Sequence, residues 1–423
     1  MEMPRTQSVS RRCLLVGAGI AIAGCGLPRR GHTQTTAADG FRLLRADAAR
    51  GGGDAAPSAR SALRYDGTLP GPMLRVRRGE ELRVRLINGL ADPTIVHWHG
   101  VRVANAMDGV PQLTQPAVAP GASFDYRFRA PDAGTFWYHA ATGSEIDRGL
   151  HGALIVEETQ AVAVDRDIVL LLGTPDAAGD TTGSVLVNGS VRPDLAVRSG
   201  ERLRLRLINA SAARDLALRL EGHAAWVMAI DGQPAEPVLA REGRVRLGPG
   251  NRIDLFVDAA HAAGTVAPLL AGVGEGQPVA RLVYEPGGDA SAARRAAPLP
   301  LPPNPLPSRI DLGSSLKAHV SLADARPLDP AGAPLFSVRR GRAVTLAVRN
   351  ASGRPWAVHL HGHHFRLLDR LDDGWKPFWM DTLVVGAQTE RIAFVADNAG
   401  KWLIGCRMLE HPDTEAGVWF AVT

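Results

Sequence analysis

Leu74-Arg75-Val76-Arg77-Arg78-Gly79-Glu80-Glu81-Leu82-Arg83-Val84-Arg85-Leu86-Ile87-Asn88 decides the fold, because the chain repeats this stretch. A second copy runs Leu195-Ala196-Val197-Arg198-Ser199-Gly200 and on through Leu203-Arg204-Leu205-Arg206-Leu207-Ile208-Asn209. A third runs Phe336-Ser337-Val338-Arg339-Arg340-Gly341 through Val344-Thr345-Leu346-Ala347-Val348-Arg349-Asn350. In each copy the Asn stands nine positions after the Gly. Self-similarity over wide intervals marks a repeated structural unit. Apolar and polar residues alternate after the glycine, the period of a strand buried on one face and entered through a Gly turn.

A second block repeats as well. Phe124-Asp125-Tyr126-Arg127-Phe128, Arg252-Ile253-Asp254-Leu255-Phe256 and Arg391-Ile392-Ala393-Phe394 each precede an Ala-Gly turn, at Gly134, Gly264 and Gly400. No stretch sustains a helical period. Short alternating strands separated by Gly, Pro and Asp turns predict an all-β protein of antiparallel Greek-key sandwiches. Its 423 residues suit three such domains at about 150 residues each. The boundaries fall at 41–158, 163–286 and 308–423, with a linker over 287–307 whose Pro298 to Pro307 part is stiff.

Composition narrows the function. Hydrophobic residues at 45% and charged residues at 22% describe a globular chain with sizeable cores. Lys+Arg exceeds Asp+Glu by 48 − 43 = 5, and the only lysines are Lys317, Lys376 and Lys401. Arginines interleave with acids along the strands, so they read as a solvated surface and not as a nucleic-acid interface. Three cysteines are too few for a disulfide-stapled scaffold.

The first residues read as targeting. Ser10-Arg11-Arg12-Cys13-Leu14-Leu15 places twin arginines before an apolar run ending near Gly24, too short to span a bilayer. It resembles a twin-arginine export signal over residues 1–24. Ile22-Ala23-Gly24-Cys25 looks like a bacterial lipobox, which would make Cys25 a lipid anchor at a membrane face. Residues 25–40 then form a flexible tether, and the protein is expected in the periplasm or at the cell surface.

Histidines carry the chemistry. His97-Trp98-His99-Gly100 begins nine residues after Asn88, and His359-Leu360-His361-Gly362 begins nine residues after Asn350. On a strand, His-x-His sends both imidazoles to one face. Two such pairs at matching repeat positions predict a metal site between the first and third domains, suited to copper, zinc, iron or nickel. His151, His223, His261 and His319 stand alone and read as surface or turn histidines. His363 and His364 read as packing groups or as supports for the ligands.

With these motifs, Gly134-Thr135-Phe136-Trp137-Tyr138-His139 and the run Trp402 to His411, the chain resembles a three-domain bacterial multicopper oxidase over residues 41–423. The resemblance implies three consecutive cupredoxin-like Greek-key β-barrels. It also implies an electron-accepting copper in domain three, joined by a His-Cys-His bridge to a three-copper cluster that reduces oxygen. Carried over, His97 and His359 would share the single copper of the cluster. His99, His139 and His361 would serve the paired coppers, and Cys406 and His411 the electron-accepting copper. The match has gaps. Ala141, Trp356, Gly405 and Arg407 stand where the family has histidines, and Ala416 stands at the axial position. Arg407 would face the cluster space, balanced by an acid such as Asp108 or Glu145.

The resulting expectation is an exported family member with an eroded copper centre, unable to perform four-electron oxygen reduction. It would act as a cell-envelope binding or scaffold protein, as copper-free relatives exported by the same route do in cell division. The alternatives are a protein holding one copper or zinc ion, with copper handling or residual oxidoreductase activity, and a working laccase-like oxidase. The partner is then an envelope protein, a small molecule or a metal.

Overall fold

The computed structural model describes residues 36–49, 62–174, 185–288, 295–368, 378–411 and 414–423. Residues 1–24, expected as an export signal, and Cys25 lie outside the described residues. Among those described, the one α-helix is Gly143–Asp147, held by a capping box between Thr142 and Glu145, and the rest of the regular structure is almost entirely strand.

The strands stack as three pairs of sheets. In the first pair, Leu63–Tyr65, Arg42–Ala48, Glu81–Asn88 and Ser123–Arg129 lie side by side in that order. The facing sheet runs Leu74–Arg77, His151–Glu157, Gly134–His139, His97–His99. A six-stranded and a five-stranded sheet follow over residues 166–285, and a four- and a five-stranded sheet over residues 316–422. Each pair encloses its own apolar core: Leu82, Val84 and Leu86 from the first repeat, Leu203, Leu205 and Leu207 from the second, Val344, Leu346 and Val348 from the third. This is the cupredoxin-like, all-β architecture.

The repeated residues do the same job in each copy. Gly79, Gly200 and Gly341 have φ of +83°, +86° and +85°, a left-handed turn that glycine enters without strain. Each repeat Asn is buried and spends its amide on backbone. Asn88 Nδ2 donates to the carbonyls of Asp92 and Val118, and its Oδ1 accepts from the amide of Leu90. Asn209 and Asn350 repeat the pattern, on Arg214 and Leu247 and on Arg354 and Val385. One side chain thus ties the end of a strand to the next loop and to a more distant segment.

The second copy departs from a half-buried strand. Arg202–Asn209 is buried at every position, because the first domain and the acidic partners cover its outer face. Arg204 pairs with Asp254 and Glu158, and Arg206 with Asp167, while Arg206 Nη1 also donates to Thr135 Oγ1 of the first domain. These arginines are not the solvated surface expected from composition. Buried guanidinium groups persist only with such complete pairing.

Segment 295–307 carries no strand and packs into the junction of the domains: Asn304 Nδ2 donates to the Ala133 carbonyl and to Gln233 Oε1. Two isolated histidines are also not surface groups. His151 is buried with Nδ1 donating to the Ile146 carbonyl, and His223 is buried against the Tyr284 hydroxyl. His223 lies in a turn, as the sequence allowed, with Nδ1 donating to the Glu221 carbonyl. His319 is exposed on its strand.

Candidate metal centre

Two short strands from opposite ends of the chain form the centre. His97–His99 pairs with Gly134–His139, setting His97 opposite His139 and His99 opposite Trp137. The period of two sends both histidines one way and Trp98 the other, into the core beside Tyr126 and Phe128. Trp356–Leu360 pairs with Gly400–Met408, setting His359 opposite Gly405, Ala357 opposite Arg407 and Val358 opposite Cys406.

Five imidazoles converge from these strands. Their ligand atoms form overlapping groups within 4.8 Å: His97, His99 and His139; His97, His359 and His361; His99, His359 and Asp381. His97 Nε2 lies 3.3 Å from His359 Nε2, and His99 Nδ1 lies 3.2 Å from His139 Nε2. The ring centroids of His99 and His359 are 3.8 Å apart in a stack, and those of His97 and His361 are 4.0 Å apart.

The outward nitrogens fix which atoms face the centre. His97 Nδ1 donates to the Asp108 carbonyl at 2.7 Å, His139 Nδ1 to the Ala140 carbonyl at 2.6 Å and His359 Nδ1 to the Asp381 carbonyl at 3.0 Å. A carbonyl only accepts, so the proton sits on Nδ1 and a neutral ring presents the Nε2 lone pair inward. His361 Nδ1 meets Asp108 Oδ2 at 3.0 Å, and His99 uses the reverse edge, its Nε2 bound to Thr382 Oγ1 at 3.0 Å. Burial lowers the pKa of His99 and His139 far below the ordinary value and that of His359 below it, and takes His361 to about 3. Neutral imidazole is the ligand form.

Two inward lone pairs 3.3 Å apart repel unless a metal ion or a proton lies between them. That separation is also the edge, about 3.3–3.4 Å, of a tetrahedron with metal–nitrogen bonds of about 2.0–2.1 Å. The His97–His359 pair therefore matches one edge of a tetrahedral metal site.

Two carboxylates support the nest. Burial works against the Asp108 charge, but His361 and His97 beside it hold its pKa below the ordinary range. Asp381 is fully buried and meets Arg252 Nη2 at 2.6 Å, which keeps it ionised against the same burial. Arg252 belongs to the second domain and also donates to the Thr135 carbonyl of the first, so one guanidinium ties all three domains beneath the ligands. Sequence reading missed Asp381, Thr382 and Arg252; no spacing links them to the histidines. Asp108, expected as a possible partner of Arg407, stands behind His97 and His361. Arg407 is balanced by neither Asp108 nor Glu145 but by Glu415, its cross-strand neighbour, at 2.8 Å. Glu145 instead caps the helix and accepts from Thr94.

Cys406 and His411 join none of the possible ligand groups among the described residues. Cys406 is buried opposite Ala416, and burial pushes its thiol up to about 12. His411 is exposed, with Nε2 against the Arg354 guanidinium. Trp356 is buried and donates its indole N–H to Ser352 Oγ at 3.0 Å. His363 packs among Phe394, Trp402 and Phe420, and His364 Nε2 lies 3.4 Å from Asp381 Oδ2.

Sequence profiles described as multicopper oxidase match residues 53–161, 137–267 and 302–423. The chain belongs to the multicopper oxidase family. A multicopper oxidase from Pseudomonas thermotolerans is 31% identical at a TM-score of 0.78, with 90% of this chain and 99% of that one covered. Lac15, from a marine microbial metagenome, is 33% identical at a TM-score of 0.76, with the same coverage. The multicopper oxidase MmcO of Mycobacterium tuberculosis is 29% identical, covering 83% of this chain and 81% of its own. Multicopper oxidase membership implies copper binding, and the nest is where this chain gathers its nitrogen donors.

Proposed function

We propose that this multicopper oxidase family member holds one transition-metal ion in the histidine nest, and that it lacks the relay needed for four-electron oxygen reduction. The facing Nε2 atoms of His97 and His359, 3.3 Å apart and oriented from behind by backbone carbonyls, carry this reading. Copper takes precedence over zinc because membership of the multicopper oxidase family implies copper binding. A bound copper ion would supply one-electron or Lewis-acid chemistry. The chain's own residues hold it: Asp108 steadies His97 and His361, while Asp381 and Thr382 steady His99 and His359.

A full four-copper set does not fit. Ala141, Trp356, Gly405 and Arg407 offer no metal-binding nitrogen at the four family positions. Ala416, opposite Cys406, leaves no axial group.

The twin arginines and Cys25 support export and lipid anchoring at the cell envelope. Arg11→Lys with Arg12→Lys should retain the protein inside the cell, and Cys25→Ser should release it from the membrane fraction.

Metal analysis of copper-loaded, dialysed protein, with oxygen uptake measured on the same sample, tests the central claim. One equivalent without oxygen uptake supports it. None would favour the metal-free envelope scaffold. Near four, with blue absorption and oxygen consumption, would establish a working oxidase.

A further inference from the structure

The sheet face that carries His359 also carries an ion pair. Trp356–Leu360, Gly400–Met408 and Glu415–Val422 lie side by side, with His359 opposite Gly405 and Gly405 opposite Gly417. Two residues along the same strands, Arg407 stands opposite Glu415. The period of two puts Gly405, Arg407, Gly417 and Glu415 on one face with His359. The nest opens into a cavity that Arg407 and Glu415 line, both part-exposed, close to the exposed Thr142.

Nothing at Gly405 separates the guanidinium from the imidazoles. A Cβ built on Gly405 would lie in ordinary contact 3.7 Å from His361 Nε2, so the space over this residue opens directly on a ligand. Two strand residues span about 7 Å, which a long arginine side chain covers. Arg407 therefore has two places to go: outward to Glu415, or inward across Gly405. The structure shows the first. Glu415 Oε1 accepts from Arg407 Nε at 3.1 Å and from Nη2 at 2.8 Å, and also from the Gly143 amide of the first domain. Burial and then His97 do most to lower the His139 pKa, and Arg407 adds to the effect. Its charge thus reaches a ligand even when held outward. Moved inward, an uncompensated cation would stand where a metal ion has to bind.

We propose that Glu415 is a positioning residue for the nest: it holds Arg407 outward, and without it the guanidinium crosses Gly405 and expels the ion. This role presupposes the single-ion reading of the nest. Copper affinity of the full-length protein, measured by competition with a chelator, should fall about tenfold or more in Glu415→Ala, as expected for a like charge brought close in a part-buried site. Arg407→Ala should bind copper at least as tightly as the parent, and adding Glu415→Ala to it should change nothing further. A merely structural Glu415 would weaken both backgrounds equally, and that result overturns the proposal, as does unchanged affinity in Glu415→Ala. Glu415→Gln removes the charge but can still accept from Gly143. It should weaken copper binding in the same direction, and it decides the matter if thermal melting shows Glu415→Ala unfolded. A crystal structure of the metal-free Glu415 variant gives a reading without copper. There the Arg407 guanidinium should leave residue 415 and approach His361; one that stays in place or turns to solvent overturns the proposal. A parent that takes up no copper ends the single-ion reading, and the crystal structure alone then decides the role of Glu415.

Discussion

His97 and His359 are separated by most of the chain, yet their Nε2 atoms face each other at 3.3 Å. Replacing either with Ala removes one of the two inward lone pairs. Each variant should lose the single equivalent of copper on dialysis while keeping the melting temperature of the metal-free protein, as read by metal analysis and calorimetry.

Asp108 supports two ligands at once, accepting from His97 through its carbonyl and meeting His361 through its carboxylate. Asp108→Asn keeps the shape but lets its side chain donate where it should accept. Copper affinity should fall about 10–100-fold, the usual cost of losing such a support. Competition with a chelator of known affinity measures it.

Restoring the missing nitrogens should rebuild the family site. Trp356→His, Gly405→His, Arg407→His and Ala141→His together should raise copper content above one equivalent and introduce blue absorption. The Gly405 backbone accepts a Cβ without a clash. Unchanged metal content in a folded quadruple variant would count against the alignment of these positions.

Arg252 is fully buried between Asp381 and Asp231. Arg252→Ala leaves two carboxylates close together without their cation, a loss of about 3–5 kcal/mol. Unfolding in denaturant should show it, with a matching fall in copper affinity because Asp381 no longer holds its place.

Burial takes His151 to a pKa of about 4, from an ordinary 6.5, so the folded chain refuses a proton that the unfolded chain accepts. Its stabilising contribution is complete above about pH 6.5 and falls as the pH drops toward 4. At about 1.4 kcal/mol per unit, the loss across that window is about 3 kcal/mol. His151→Asn, whose amide can still donate to the Ile146 carbonyl, should flatten the decline in denaturation midpoints between pH 7 and 4.5 relative to the parent.

Local pattern made the barrels legible. Gly79 and Asn88 recur because a left-handed turn and a backbone-bonding amide are needed at the same points of every copy. The paired histidines were legible for a similar reason, since strand period alone puts both rings on one face. Arg204, Arg206 and Arg252 were not, because their partners come from other strands and other domains. Asp381 escaped notice for the same reason. A carboxylate behind a ligand is recognised by what it touches, and those contacts are made only when the third domain closes on the first.

The amide latches formed by Asn88, Asn209 and Asn350 lie on the strand ends, and none of their bonds involves an imidazole of the nest. Each barrel is thus fastened independently of the chemistry conducted between barrels. Such a frame can shed or exchange its reactive groups one by one and still be inherited intact, which leaves lineages free to rewire the interior.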